Sequence, residues 1–173
     1  MTLKKELEKN HLTVHDIDRI YVTQGPGSFT GIRVGVTIAK TLAYGLKAEI
    51  VPISKLELLA TTKVSSKYVV PYIDARRGYV FSAIYDENLN AILEDQYISM
   101  DALKEKVQNL DVSFVGISDL FPNTVNPSEN VYKIWDKYKN TPSTNVYDVN
   151  PKYLKKTEAE EKNDSFTYEN GIE

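Results

Sequence analysis

Apolar and polar positions in the first third of the chain follow the pattern of a strand, a helix, a strand and a second helix. Arg19–Thr23 is a short β-branched and aromatic run that predicts a strand, and Glu49–Ile53 predicts another. Residues 30–46 between them have helical spacing. Ser54 precedes a further helical run, and Glu57 three residues later predicts a capping box. This order predicts helices packed on a parallel sheet.

The pattern changes after residue 67, where apolar runs and turn residues alternate more quickly. The remaining predicted elements are strands at 68–74, Tyr79–Tyr85 and 112–117 and helices at 3–10 and 99–108. The sequence ARRG predicts a hairpin between the first two of these strands. An acidic stretch poor in aliphatic residues predicts a loose C-terminal tail. We expect two unequal lobes, residues 1–65 and 66–173.

The predicted helix at 30–46 has more apolar circumference than one sheet face covers. Its polar stripe consists of Arg33, Thr37, Lys40, Thr41 and Tyr44. One apolar side consists of Ile32, Val36, Ala39, Ala43 and Leu46, and the other of Gly31, Val34, Gly35, Ile38 and Leu42. Two interpretations stay open. Either the helix is enclosed within its own domain, or it gives one apolar side to a second polypeptide.

The corner GPGSFTGIRVG, residues 25–35, joins the first strand to this helix and contains four of the eight glycines. A glycine turn before a helix N-terminus is a possible phosphate cradle. The P-loop pattern fails because Ile32 and Arg33 follow Gly31, and the dinucleotide pattern fails because Thr30 replaces a glycine. On the motif alone, tight turning and close packing are the favoured explanation.

The composition of the chain argues against several classes of function. The chain has 173 residues, 42% of them hydrophobic, and a net charge of −3, so a broad nucleic-acid-binding face is not expected. Cysteine is absent, and no apolar run is long enough for a membrane span, so we expect a cytoplasmic protein without membrane contact. His11 and His15 are spaced like a helical metal pair, but they fall in a predicted connection without a third ligand, which favours a solvated loop.

Four stretches in order resemble the TsaB/YeaZ family, the actin-like partner subunits in bacterial synthesis of the threonylcarbamoyladenosine (t6A) modification of tRNA. They are GPGSFTGIRVGVTIAKTLAYGL at 25–46, ISKLELLA at 53–60, DARRGYVFSAIYD at 74–86 and PKYLKKTEAE at 151–160. The resemblance implies an α/β fold of the actin-like, ribonuclease H-like (ASKHA) class, with mixed sheets flanked by helices. Family members begin with a strand block that is not matched here, so we expect an incomplete first lobe with uncovered strand edges.

The resemblance implies a non-catalytic subunit that docks the transferase TsaD, joins TsaE in a larger assembly and forms a homodimer alone. The partner-facing residues it predicts are Ile32, Val36, Ala39, Lys40, Leu42, Ala43, Leu46, Leu56 and Leu59. Gly27, Ser28, Thr30 and Arg33 are candidates to lie near a nucleotide. No catalytic or metal-binding residue and no cofactor of its own is expected. ATP or ADP, the metal and the tRNA are expected in the partner-containing complex.

The alternative is an enzyme in its own right, either an actin-like ATPase or kinase or a metallopeptidase-type hydrolase. TsaD has an H-L-E-G-H-like segment with two metal-binding histidines, and the matching positions here are Lys55 and Leu59. An ammonium group repels a metal ion and leucine has no lone pair, so these residues disfavour the alternative. Asp74, Arg76 and Arg77 could pair with residues 158–160.

Overall fold

The computed structural model describes residues 3–155, which form two β-sheets flanked by helices. The helices are α1 (Leu3–Lys9), α2 (Phe29–Leu46), α3 (Lys55–Ala60), α4 (Met100–Val107) and α5 (Val131–Tyr138). The strands are β1 (Arg19–Thr23), β2 (Glu49–Ile53), β3 (Tyr68–Arg76), β4 (Tyr79–Tyr85), β5 (Ala91–Ser99) and β6 (Val112–Val115). Short 3-10 turns lie at Val14–Asp16 and Val146–Asp148. No helix within this range is both long and apolar enough to cross a lipid bilayer.

The first sheet is the predicted parallel unit. β1 and β2 pair in parallel from Arg19 opposite Glu49 to Thr23 opposite Ile53, and α2 makes the crossover between them. Both strands have the predicted bounds, and α2 begins one residue earlier than predicted. The spacing of apolar residues predicted these three elements because a turn or a cap marks the ends of each one.

The second sheet has the strand order β5-β4-β3-β6, with antiparallel pairs except for the parallel pair of β3 and β6. The predicted hairpin joins β3 to β4. The edge strand β5 was not predicted, because consecutive polar residues at Glu94, Asp95 and Gln96 interrupt its apolar pattern. Ser99 is both the last residue of β5 and the N-cap of α4.

The largest hydrophobic cluster joins the two sheets. Val51 and Leu56 from the first part of the chain pack in one cluster with Val69 and Tyr85 from the second sheet and with Ile134 from α5. A separate cluster lies between α2 and the first sheet. The predicted division at residue 65 stays a prediction, but residues on both sides of it share this core.

Candidate functional site

Helix α2 buries one apolar side and exposes the other. Ile32, Val36, Ala39 and Ala43 are buried and pack with Val22, Ile50 and Val149. Val34 is 52% exposed and Ile38 is 55% exposed, and Gly31 and Gly35 beside them are exposed. The excess of apolar circumference inferred from the sequence therefore appears as an open apolar surface on α2. We define this α2 surface as Gly31, Val34, Gly35, Ile38 and Leu42.

Three residues of the polar stripe of α2 contact residues 146–153 of the same chain. Lys40 Nζ donates to the Val149 carbonyl oxygen at 2.8 Å, and Arg33 Nε donates to the Tyr153 hydroxyl at 2.8 Å. Tyr44 packs edge-on against Tyr147. These contacts tie the polar side of the helix to residues 146–153, although most of the stripe stays exposed, and one apolar side is left open.

Most residues predicted to face a partner lie in the interior. Six of the nine are buried against their own chain, namely Ile32, Val36, Ala39, Ala43, Leu56 and Leu59. A side chain enclosed in its own core has little area left for another chain, so the partner-facing role of these six stays a prediction that their burial does not support. Lys40, Leu42 and Leu46 are partly buried, and only Leu42 belongs to the α2 surface.

The glycine corner is a packing junction of three chain segments. Gly25 has φ +129°, and a Cβ atom there would lie 2.5 Å from the Lys152 carbonyl oxygen. The Lys152 N–H donates to the Gln24 carbonyl oxygen at 2.7 Å, and the Lys55 N–H donates to the Gly25 carbonyl oxygen at 2.8 Å. Close approach of backbones explains this glycine without any ligand.

A cavity of about 500 Å³ lies beside the corner. Gly27 and Ser28 line it, together with apolar side chains such as Phe29, Ile73 and Phe81. Ser28 Oγ accepts a hydrogen bond from the Gly31 N–H at 3.1 Å, so one N–H group that a phosphate would use is already occupied. Of the four nucleotide candidates, Thr30 and Arg33 do not line this cavity.

A polar network that the sequence did not predict lies at the carboxyl ends of β1 and β2. Glu57 is buried and accepts hydrogen bonds from Lys137 Nζ at 2.5 Å and from the Tyr138 hydroxyl at 2.9 Å. The predicted capping box is therefore wrong, since this carboxylate bonds to α5 and the structure gives it no bond to the Ser54 N–H. Burial in the apolar interior and the adjacent Glu57 carboxylate raise the pKa of Tyr138.

Asp95 of β5 completes the network. Its carboxylate accepts hydrogen bonds from the Ser54 and Tyr85 hydroxyl groups, the latter at 2.9 Å. Burial and the Asp95 charge raise the pKa of Tyr85. These residues line a polar cavity of about 350 Å³. Every hydroxyl and carboxylate named here has a partner within the network, so its evident role is to join α3, β4, β5 and α5.

Two positions correspond to the metal-binding histidines of the transferase TsaD, and the residues found there cannot bind a metal ion. Lys55 Nζ forms an ion pair with Glu129 at 3.0 Å, and Leu59 is buried in the core. His11 follows α1 and His15 lies in the first 3-10 turn, and both are exposed. Asp74 pairs with Arg76, while residues 158–160 lie outside the described residues.

A groove of about 370 Å³ runs along β1. Ile38 and Leu42 of α2 form one wall, and Leu58, Val131 and Ile134 of α3 and α5 form the other. The α2 surface therefore continues into an apolar groove beside the first sheet.

Comparison with known proteins gives one consistent family. A family model described as TsaD, tRNA N6-adenosine threonylcarbamoyltransferase, matches residues 1–166. The tRNA threonylcarbamoyladenosine biosynthesis protein TsaB of Bacillus subtilis is 40% identical over 99 residues, which are 53% of this chain and 43% of that protein. TsaB of Buchnera aphidicola from Acyrthosiphon pisum is 29% identical over 177 residues, covering 98% of this chain and 77% of that protein. The match therefore spans less than half the length of the Bacillus relative.

The fold agrees with solved structures. A Pseudomonas aeruginosa protein described as similar to the peptidase YeaZ superposes with a TM-score of 0.72 at 18% identity, over 88% of this chain and 81% of that one. At this identity the likeness shows the fold alone, which is the predicted mixed α/β arrangement of sheets flanked by helices. The chain therefore belongs to the TsaB/YeaZ family of tRNA threonylcarbamoyladenosine biosynthesis proteins.

Proposed function

We propose that this chain is a non-catalytic subunit in t6A synthesis that docks the threonylcarbamoyltransferase TsaD through the α2 surface. One observation carries the proposal: Val34 and Ile38 are each more than half exposed on a helix whose other apolar side is buried in its own chain. An apolar helix side next to glycines allows a second helix to approach closely. Burial of one such side chain contributes about 1.5–3 kcal/mol.

The family match supports this choice of partner. The model that matches residues 1–166 is named for the transferase itself, so the proposed partner shares this fold. Two chains with the same fold can present equivalent helices to each other about an approximate two-fold axis. By the same reasoning, the α2 surface would favour self-association when the transferase is absent.

The chemistry is assigned to the partners in this proposal. We expect ATP or ADP, the metal and the tRNA to be bound in the complex with TsaD and TsaE, with Gly27 and Ser28 as the residues of this chain nearest to a nucleotide. The proposed site of action is the cytoplasm. An independent ATPase, kinase or metallopeptidase is less favoured, because Lys55 is held in an ion pair and Leu59 is buried.

Substitution on the α2 surface tests the proposal. We expect Ile38→Asp to weaken TsaD binding about tenfold or more, because a carboxylate would be buried at the contact. Isothermal titration with purified TsaD measures the affinity, and a tRNA modification assay with the partner proteins measures the consequence. Val36 is unsuitable for this test because it lies in the core.

Thr37→Asp is the matched control, since it places the same charge on an exposed position of the polar stripe next to Ile38. We expect it to retain TsaD binding. Equal binding by Ile38→Asp and the unchanged chain would rule out docking through this surface. Circular dichroism establishes that both variants are folded.

A further inference from the structure

One face of the second sheet is aromatic at the end that carries the hairpin. On this face Phe81 of β4 lies opposite Ile73 of β3 and Tyr97 of β5. Because side chains alternate along a strand, Tyr79 is on the same face as Phe81, and its ring stacks on that of Tyr97 with centroids 4.7 Å apart. The short helix α3 packs with Tyr85, further along β4. The rings nearer the hairpin therefore reach the surface, where Tyr79 is 40% exposed.

The cavity of about 500 Å³ beside the glycine corner adjoins this face. Ile73 and Phe81 line it, and so do Phe29 and Tyr153, whose rings stack with centroids 4.6 Å apart. Phe29 is 37% exposed and Tyr153 is 39% exposed, so both rings are accessible at the cavity. A cavity of this volume and lining accepts a flat ring system such as one nucleobase.

Positive charge is concentrated around the same cavity. Arg76, Lys152 and Lys155 line it. Asp74, which pairs with Arg76, is the one carboxylate that the described residues contribute to the lining. The Lys155 ammonium group lies 5.3 Å from the centroid of the Tyr97 ring, so it also connects the cavity to the aromatic face. Although the whole chain has a net charge of −3, this region combines aromatic rings with an excess of cations.

We propose that this region binds a short single-stranded segment of RNA, with one base in the cavity, a neighbouring base on Tyr79 and phosphates at Lys152 and Lys155. Aromatic rings beside cations suit a single strand, because every base has a face that stacks and every nucleotide carries a phosphate. Paired bases are stacked within a duplex and cannot enter the cavity. The choice of RNA rests on the proposed role in tRNA modification. The region includes none of the residues of the α2 surface.

Titration of a fluorescent single-stranded RNA of about seven nucleotides with the 173-residue chain tests the proposal by anisotropy. We expect Tyr153→Ala to raise the dissociation constant about tenfold, because one base loses its stacking partner. Tyr153→Phe should bind like the unchanged chain, since it keeps the ring and removes only the hydroxyl that accepts from Arg33 Nε. Tyr147→Ala is the matched control and should not weaken binding, because Tyr147 is 70% exposed and packs on Tyr44 away from the cavity.

The salt dependence of the same titration tests the lysines. Loss of one phosphate contact to a single strand reduces the slope of log K against log salt concentration by about 0.7, and we expect this reduction for Lys155→Gln. Lys104→Gln is the control, because Lys104 belongs to α4, which packs on the opposite face of the second sheet. Urea unfolding establishes that each variant is folded.

The proposal expects saturable binding that depends on the Tyr153 ring and on the Lys155 charge. Absence of binding at chain concentrations up to about 1 mM would overturn it. Equal affinity for an RNA duplex of the same length would overturn it in favour of a contact with any polyanion. Equal affinity for adenosine monophosphate would overturn it in favour of a mononucleotide site. None of these outcomes bears on docking of TsaD, which is measured separately with the Ile38→Asp variant.

Discussion

Gly25 stands where the backbone at Lys152 passes closest to the corner between β1 and α2. Four glycines in eleven residues suggest a phosphate cradle, but the contacts of this glycine are with the chain itself. The sequence predicts that a tight corner needs glycine, since only glycine combines positive φ with close approach. The sequence does not predict that Gly25 meets the backbone at Lys152, because residue 152 is distant along the chain.

We expect Gly25→Ala to destabilise the chain by about 1–3 kcal/mol, because the new Cβ atom meets the Lys152 carbonyl oxygen and φ is unfavourable. Gly45→Ala is the control, because Gly45 lies in α2 with open space around it. It should stabilise by about 0.5–1 kcal/mol, the usual difference between the two residues in a helix. Urea denaturation measures both, and equal effects would contradict the packing explanation.

Helix caps show how far prediction reaches at the scale of one element. Ser54 caps α3 as predicted, accepting from the Leu56 N–H at 3.0 Å, because the cap depends only on residues within one turn. Glu57 instead extends to Lys137 and Tyr138 of α5, 80 and 81 residues away in the sequence. A local motif cannot exclude a better partner brought close by the fold.

Ser54 donates a hydrogen bond to Asp95 as well as capping α3, whereas Ser99 only caps α4. Ser99→Ala at α4 should cost about 1 kcal/mol, since that hydroxyl accepts only from the Ala102 N–H. Ser54→Ala should cost about 1–3 kcal/mol more, because Asp95 also loses a hydrogen-bond donor. Thermal or urea unfolding of the two variants gives the difference, and equal costs would show that the contact with Asp95 contributes little.

At the scale of the whole molecule, the two sheets share a core and a polar network. Val51 and Leu56 pack with Val69 and Tyr85, and the Glu57–Lys137 ion pair joins α3 to α5. The change of sequence pattern near residue 65 separates a parallel from a mixed sheet. Side chains on the two sides of this boundary nevertheless pack against each other.

We expect one cooperative unfolding transition, because the shared core couples the two sheets. Trp135 is the only tryptophan and lies in α5, so its fluorescence reports one region while far-ultraviolet circular dichroism reports the whole backbone. The two urea curves should coincide. Separate midpoints would indicate that residues 1–65 and 66–173 unfold independently.

The sequence by itself determined the first strands and helices, the serine N-cap of α3, the glycine corner and the excess of apolar surface on α2, since these depend on spacing within one element. Only the tertiary structure decided which apolar side stays open. Ile32 and Ile38 lie on different sides of the same helix and are equally apolar, but the first packs with Val22 and Val149, and the second has no such cover among residues 3–155. Burial depends on which distant segments pack against a helix, and helical periodicity alone does not specify those neighbours.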